Sequence, residues 1–586
     1  MRSLAALIVP ATLASCGSEP APGPSAPVAP AAIGERCLDC HGNVVRSYRA
    51  TGMARAVEPI RPEELDGLAP VEDGAGWTYR FDSARIVESW KGGSPAVEAG
   101  IAFAIGAGLM DRSYAASVGD VLAFAPLEVV TAREARHAAL APGHSIRPGT
   151  RFTTPITEEC LACHTDHLPP REYPLNLRPD VGAWSPSGIS CAACHGDVDG
   201  HVGWREVERA GVKKDAADPV LAASGLGPIE SVSLCARCHL QGDASLLLEP
   251  LARGVLPPGG DMLALRAVFV GASPSDEIRF VSQVERLLLS PCYLGSSQAR
   301  REPMTCVTCH DPHESSFDPD ARRIVRGACA QCHTSTKASC SKPQSERAGR
   351  DCVDCHMRRT GVFDVASVEI HDHFIRREPG PPSPPAALRV HESKDGRLAL
   401  FAWPGRERPA YADDPGLWMM AEMAAGHADL ALPFAQREPG PAAARLPTYY
   451  HLRGVLLEQA GRDEEARAAY ARALELDPAS AETSVNFALL LGRLGKPREG
   501  VALLDAVIAA HPKASPALRN RAVLRLQLGD AAGFAADLEA AFAIAPDAAV
   551  AGALAEHLRR SGRGEESQRW ARAALRLDPS RAGTRR

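Results

Sequence analysis

The chain reads as a mainly α protein in two parts: an N-terminal region with little regular structure apart from a small β-rich insert, then a C-terminal αα-solenoid. Three observations predict this. Seven copies of Cys-x-x-Cys-His crowd into residues 34–376, a Gly-rich stretch with short alternating apolar runs occupies about 71–130, and prolines and glycines recur every 33 or 34 residues beyond 447. At 586 residues the chain is too long for one ordinary core. Its 45% hydrophobic and 23% charged residues and net charge of -6 describe a soluble globular protein, and exclude a nucleic-acid partner and a disordered chain.

Residues 1–16 open with Met-Arg-Ser, continue as an apolar run and end in Leu13-Ala14-Ser15-Cys16. A short basic start and a brief apolar stretch make a secretory signal. Its last four residues resemble the lipobox of bacterial lipoproteins, which implies acylation of Cys16; an ordinary signal cut nearby is the other reading. The Pro- and Ala-rich residues 17–33 form a tether. No apolar stretch reaches the roughly 20 residues needed to cross a bilayer. The expected location is the bacterial cell envelope, lipid-anchored on a periplasmic or outer-membrane face.

Fourteen of the 17 cysteines belong to the seven motifs: Cys37, Cys40, His41; Cys160, Cys163, His164; Cys191, Cys194, His195; Cys235, Cys238, His239; Cys306, Cys309, His310; Cys329, Cys332, His333; Cys352, Cys355, His356. Composition alone gives about 0.02 such patterns. The spacing is that of c-type haem attachment. Two thiols on one helical turn add to the porphyrin vinyl groups, and the next residue gives iron its proximal nitrogen. Zinc sites or redox disulfides explain neither the odd number nor the His after every second Cys. Seven covalent haems are therefore expected over 34–376. With six motifs between Cys160 and His373, haem is expected to take the place of a conventional core.

Within that region, Trp77-Thr78-Tyr79-Arg80-Phe81 and Val121-Leu122-Ala123-Phe124 mark the small insert at 71–130. Pro379, Pro381, Pro382, Pro384 and Pro385 mark a linker over 377–389. Residues 390–446 read as a hairpin turning at Asp395-Gly396 and a helical pair. From 447 to 581, Pro478, Pro512, Pro546 and Pro579 share their spacing with Gly461, Gly495, Gly529 and Gly562. This is the tetratricopeptide period. The first repeat carries Gly454, Ala466, Tyr470, Ala473 and Pro478 at the expected offsets. Such a solenoid offers a concave surface to a peptide or protein, or serves as a spacer or dimer element.

An iron with two axial protein ligands passes electrons, whereas one with an open position binds substrate. Outside the motifs, His137, His144, His167, His201, His313, His371 and His373 are seven candidates for the distal side. His167 and His313 lie three residues after a proximal His, too close to reach the far face of the same haem, and would serve a neighbouring one. Cys292 and Cys340 remain, as one disulfide or as separate thiols.

The boxes around Cys191 to His201, Met304 to His313 and Cys352 to His373 resemble the multihaem cytochromes related to the tetrahaem electron acceptor of hydroxylamine oxidoreductase and to pentahaem nitrite reductases. The resemblance covers roughly 34–376 and is loose between the motifs. It implies distal roles for His201, His313 and His373. Where that family often has a His-Ala element, this chain has Met53-Ala54, so Met53 ligates an iron, leaves it open, or merely packs on porphyrin. The expected function is electron transfer through bis-ligated haems, with redox partner proteins docked by the solenoid and the membrane engaged through Cys16. The alternative is a multihaem reductase or oxidase of a small nitrogen or sulfur oxyanion at one open haem. Against it, no motif carries the Lys variant that marks the catalytic haem of many nitrite reductases, and no acid–base cluster is readable.

Overall fold

The computed structural model describes residues 34–583 apart from 94, 119–120, 132–135, 143, 145–148, 158–160, 167–172, 175–185, 212–216, 250–255, 272–275, 300–302, 317, 334–339, 341, 348–349, 366–367 and 383–396. The lipobox with Cys16, the tether, Cys160, His167 and the Asp395-Gly396 turn lie outside the described residues. Among those described, no helix is long and apolar enough to cross a membrane.

The expectation of little regular structure with a small insert is corrected by a large antiparallel sheet. Its strands are β1 (Val57–Glu58), β2 (Val71–Glu72), β3 (Trp77–Asp82), β4 (Arg85–Trp90), β5 (Pro95–Ile105), β6 (Asp111–Val118), β7 (Val121–Phe124), β8 (Leu127–Val130) and β9 (His137–Leu140). The order is β2-β3-β4-β5-β6-β8-β9, with β1 also on β5 and β7 also on β6. Strands β2 and β9 approach each other, so the sheet curls nearly into a barrel. Strand β5 serves two cores. Ala99 and Ile101 join Trp77, Tyr79, Ile86 and Leu127, while Phe103 and Ile105 join Val57, Leu122 and Leu161. A register shift between Ile101 and Phe103 makes this possible, because one extra residue moves the following side chains to the opposite face. Leu161 thereby ties the second Cys/His motif to the sheet.

Beyond the sheet the Cys/His motifs ride on short helices. A second sheet pairs Ala244–Leu247 with Arg266–Gly271, which in turn pairs with Leu398–Leu400. The helices Pro415–Ala424 and Ala428–Ala435 cover it and join it to the solenoid in one core around Leu246, Phe269, Met419 and Tyr449.

The solenoid is four antiparallel helix pairs: Pro447–Gln459 with Asp463–Leu476, Ala481–Arg493 with Pro497–Ala510, Ser515–Gln527 with Ala531–Ile544, and Ala548–Arg560 with Gly564–Leu577. Gly461, Gly495, Gly529 and Gly562 turn each pair at φ of 72°, 76°, 82° and 73°, where a Cβ would be strained. A Cβ at Gly454 would stand 2.6 Å from the Tyr470 ring, so glycine lets these two helices touch.

Candidate functional site

Six motifs lie wholly within the described residues, each on a turn of helix. The third and seventh occupy Cys191–His195 and Cys352–His356, started by the caps Ser190 and Asp351, whose side chains accept from Ala192 and from Val353 and Asp354. The first, fourth and sixth sit on Leu38–Tyr48, Pro228–His239 and Pro319–Cys332, and the fifth on the 3-10 turn Cys306–Thr308. Cys163 and His164 of the second follow Leu161.

Tertiary packing then brings motif histidines opposite histidines from outside the motifs. His41 stands opposite His201 with ring centres 6.4 Å apart, His195 opposite His313 at 6.1 Å, and His310 opposite His373 at 6.2 Å, with interplanar angles of 31°, 10° and 29°. Two metal–nitrogen bonds of about 2 Å, with the ring radii, put opposed imidazole centres roughly 6 Å apart. Several rings are also oriented. Nδ1 of His195 donates to the Leu221 carbonyl at 3.1 Å, that of His356 to Arg376 at 3.0 Å, that of His373 to His371 at 3.0 Å, and that of His201 to Asp218 at 2.7 Å. A carbonyl can only accept, so the proton is on Nδ1 and Nε2 is left with the free lone pair that a metal could take. Burial, followed by the charge of His310, pushes His373 down to about 4, which keeps it neutral as a ligand must be.

His373 is held by a buried frame. Asp372, fully buried, takes Nε and one terminal nitrogen of Arg286 at 2.8 and 2.6 Å, and Ser290 donates to the His373 carbonyl at 2.7 Å. Thiols of neighbouring motifs also meet: Cys37 with Cys191, Cys163 with Cys238, Cys235 with Cys306, and Cys329 with Cys352. Burial pushes the Cys194 and Cys309 thiols up. Burial lowers the proton affinity of the His239 and His310 rings.

The other candidates are placed elsewhere. His144 is buried and its Nε2 engages the Arg151 carbonyl, beside the sheet. His137 starts β9, paired with Val130, and His371 lies in the strand Glu369–His371, paired with Arg359. The carbonyl of Met53 accepts from Ala56 and Ile189, fixing its turn against the third motif. Cys292 lies near Cys309 and Cys332 while Cys340 is exposed, and both are free thiols. Sequence reasoning missed Asp218 and Arg286: neither lies in a pattern, and only tertiary packing brings them to His201 and Asp372.

These features define a chain whose Cys- and His-lined N-terminal region is joined to a helical repeat solenoid. The repeat is of the tetratricopeptide family, whose description matches residues 447–480. No curated protein matches the chain. Among solved structures, MamA from Desulfovibrio magneticus RS-1 is similar at 17% identity and TM-score 0.26 over 29% of this chain and 98% of that one. PilF of Pseudomonas aeruginosa follows at 15% and 0.25 over 28% and 74%, and a thermophilic TPR protein of Thermus thermophilus at 20% and 0.24 over 28% and 90%. The multihaem resemblance rests on its motifs alone.

Proposed function

We propose that the protein is an envelope-anchored heptahaem c-type cytochrome that transfers electrons through haems held by axial histidine pairs. The observation that carries this reading is the set of three opposed pairs, His41 with His201, His195 with His313 and His310 with His373, at 6.1 to 6.4 Å. Each joins an attachment motif to a histidine outside the motifs. Haem, when bound, supplies a one-electron iron couple. The chain's own residues do the rest. The Cys pairs fix each porphyrin edge, and the Nδ1 donors orient their imidazoles and make them more basic. The short helices bring thiols of different motifs into contact, first with third, second with fourth, fourth with fifth and sixth with seventh, a spacing that suits exchange between neighbours. Tetratricopeptide repeats serve as protein-interaction modules, which supports redox protein partners. Cys16 would hold the chain at the membrane.

Production in a host that attaches c-type haem tests the reading by intact mass and ferric spectroscopy. Seven added haem masses and a low-spin spectrum are expected. A high-spin signal from one iron in seven would favour the oxyanion reductase, and absence of covalent haem would overturn the cytochrome reading altogether.

A further inference from the structure

The two helices of each repeat are not buried alike. In the second repeat the inner helix Ala481–Arg493 buries ten of its thirteen residues, whereas its partner Pro497–Ala510 buries three of fourteen. An amphipathic helix covered only by its neighbours buries one stripe. The additional buried residues include polar ones, Glu482, Thr483, Ser484 and Asn486, so a face suited to water is covered. Thr483 is partnered within the solenoid by Ser480 and His451 and Ser484 by the Ser480 carbonyl, and the apolar part of the cover includes a residue from the N-terminal region. Tyr173, seven per cent exposed, is set among Ala481, Val485, Ala488, Ala514 and Ala517, and its ring lies 5.9 Å from that of His511. Small residues at these positions leave room for an aromatic ring. Two further contacts flank the seat. Leu452 and Leu456 of the first repeat pack in one core with Leu246 and Phe269. At the far end, Arg151 pairs with the buried Glu88 of β4 and donates at 2.8 Å to the carbonyl of Leu577 in the last repeat.

We propose that the inner face of the solenoid is an intramolecular docking surface whose occupant is this chain's own Tyr173. The repeats then clasp the N-terminal region between its second and third Cys/His motifs. A separate protein meets the outer helices, or must displace Tyr173 to reach the inner ones. The inference does not depend on haem, since every contact in it is made by side chains and backbone of the two regions.

Hydrogen exchange on the full-length protein tests it, comparing wild type with Tyr173→Ala, Tyr173→Phe and Ala488→Trp, the last of which fills the seat from the solenoid side. Tyr173→Ala and Ala488→Trp are expected to speed exchange about tenfold over 481–491 while leaving 463–476 unchanged, with Tyr173→Phe close to wild type. Unchanged exchange over 481–491 in both disruptive variants would overturn the clasp. So would protection of 481–491 that appears only as the wild type dimerises, which would make a second copy the occupant. Haem content measured on the same samples keeps failure of the cytochrome reading separate.

Discussion

In the solenoid the core is made mostly of its own side chains: Leu457, Ala466, Tyr470 and Leu490 are fully buried against one another, with Tyr173 added in the second repeat. Several helices of the Cys/His region have no such core. The helices Cys191–His195, Val198–Arg209 and Cys352–His356 bury no residue at all. Helices of five to twelve residues are marginal in water without an apolar face to bury. What fixes them in place is a set of directed contacts: His201 on Asp218, His195 on the Leu221 carbonyl, Arg237 on the Ala193 carbonyl, His356 on the Arg376 carbonyl. The solenoid is held by burial throughout, whereas these motif helices are held by polar contacts and, on the proposed function, by haem, so the two halves should fail under different treatments.

The largest separation should come from withholding haem. Protein made without haem attachment is expected to lose the cooperative unfolding of the Cys/His region entirely, while helices 447–577 keep most of their circular dichroism and melt in a separate transition, lowered only by the loss of the contacts to Tyr173, Leu246 and Phe269. Protease mapping checks it: cuts should fall between 186 and 376. A haem-free region as resistant as the holoprotein would sink the idea that haem stands in for its core.

Next in size is the frame around His373. Breaking a buried ion pair by removing one partner costs about 3–5 kcal/mol, so Arg286→Leu should lower denaturant stability of this region by that amount and raise a high-spin ferric signal as His373 loses its place. The solenoid transition should not move. If Asp372→Asn with Arg286→Met restores the low-spin spectrum, the pair positions His373 and the charge itself is dispensable.

These two predictions also mark what the sequence could and could not reveal. Tetratricopeptide packing is local, so Pro478, Pro512, Pro546 and Pro579 and the turn glycines disclosed it directly. The motif histidines were equally plain, since two sulfurs and an imidazole must share one turn. The sheet leaves a weaker trace in the sequence. Its strand β5 is Ala- and Gly-rich, β9 reads His-Ala-Ala-Leu, and the bulge breaks the period of two, so neither the extent of the sheet nor its curl left a clean alternation. His144 and His373 look alike in sequence; only the fold sends one to a backbone carbonyl and the other to a facing imidazole.

A pH effect should be confined to the sheet. Glu128 is wholly buried next to Asp111, and burial, then that neighbour, pushes its carboxyl up to about 8; burial pushes Asp111 up to about 6. Because the folded state holds these protons more tightly than the unfolded chain, the stabilisation is complete below about pH 4.5 and is lost as pH rises toward 8. Thermal unfolding of the N-terminal region should therefore weaken by on the order of 3 kcal/mol between pH 5 and pH 8. Glu128→Gln should remove most of that slope, and the solenoid transition should show none of it.

The smallest expected effect probes one hydrogen bond. The carboxylate of Asp218 accepts from Nδ1 of His201 at 2.7 Å and is also reached by Arg205 at 3.1 Å. An anionic acceptor makes an imidazole a stronger donor to metal and favours the oxidised iron. Asp218→Asn keeps the shape and removes the charge, so the potential of the centre held by His41 and His201 should rise, by less than about 59 mV, a tenfold change for one electron. Partial exposure limits the size of the shift, since solvent screens both groups. Potentiometry with optical detection would show one component of the titration moving upward while the others stay. A fall in potential, or an equal shift of every component, would mean that His201 is not the axial partner of His41, and the pairing read from their facing rings would have to be abandoned.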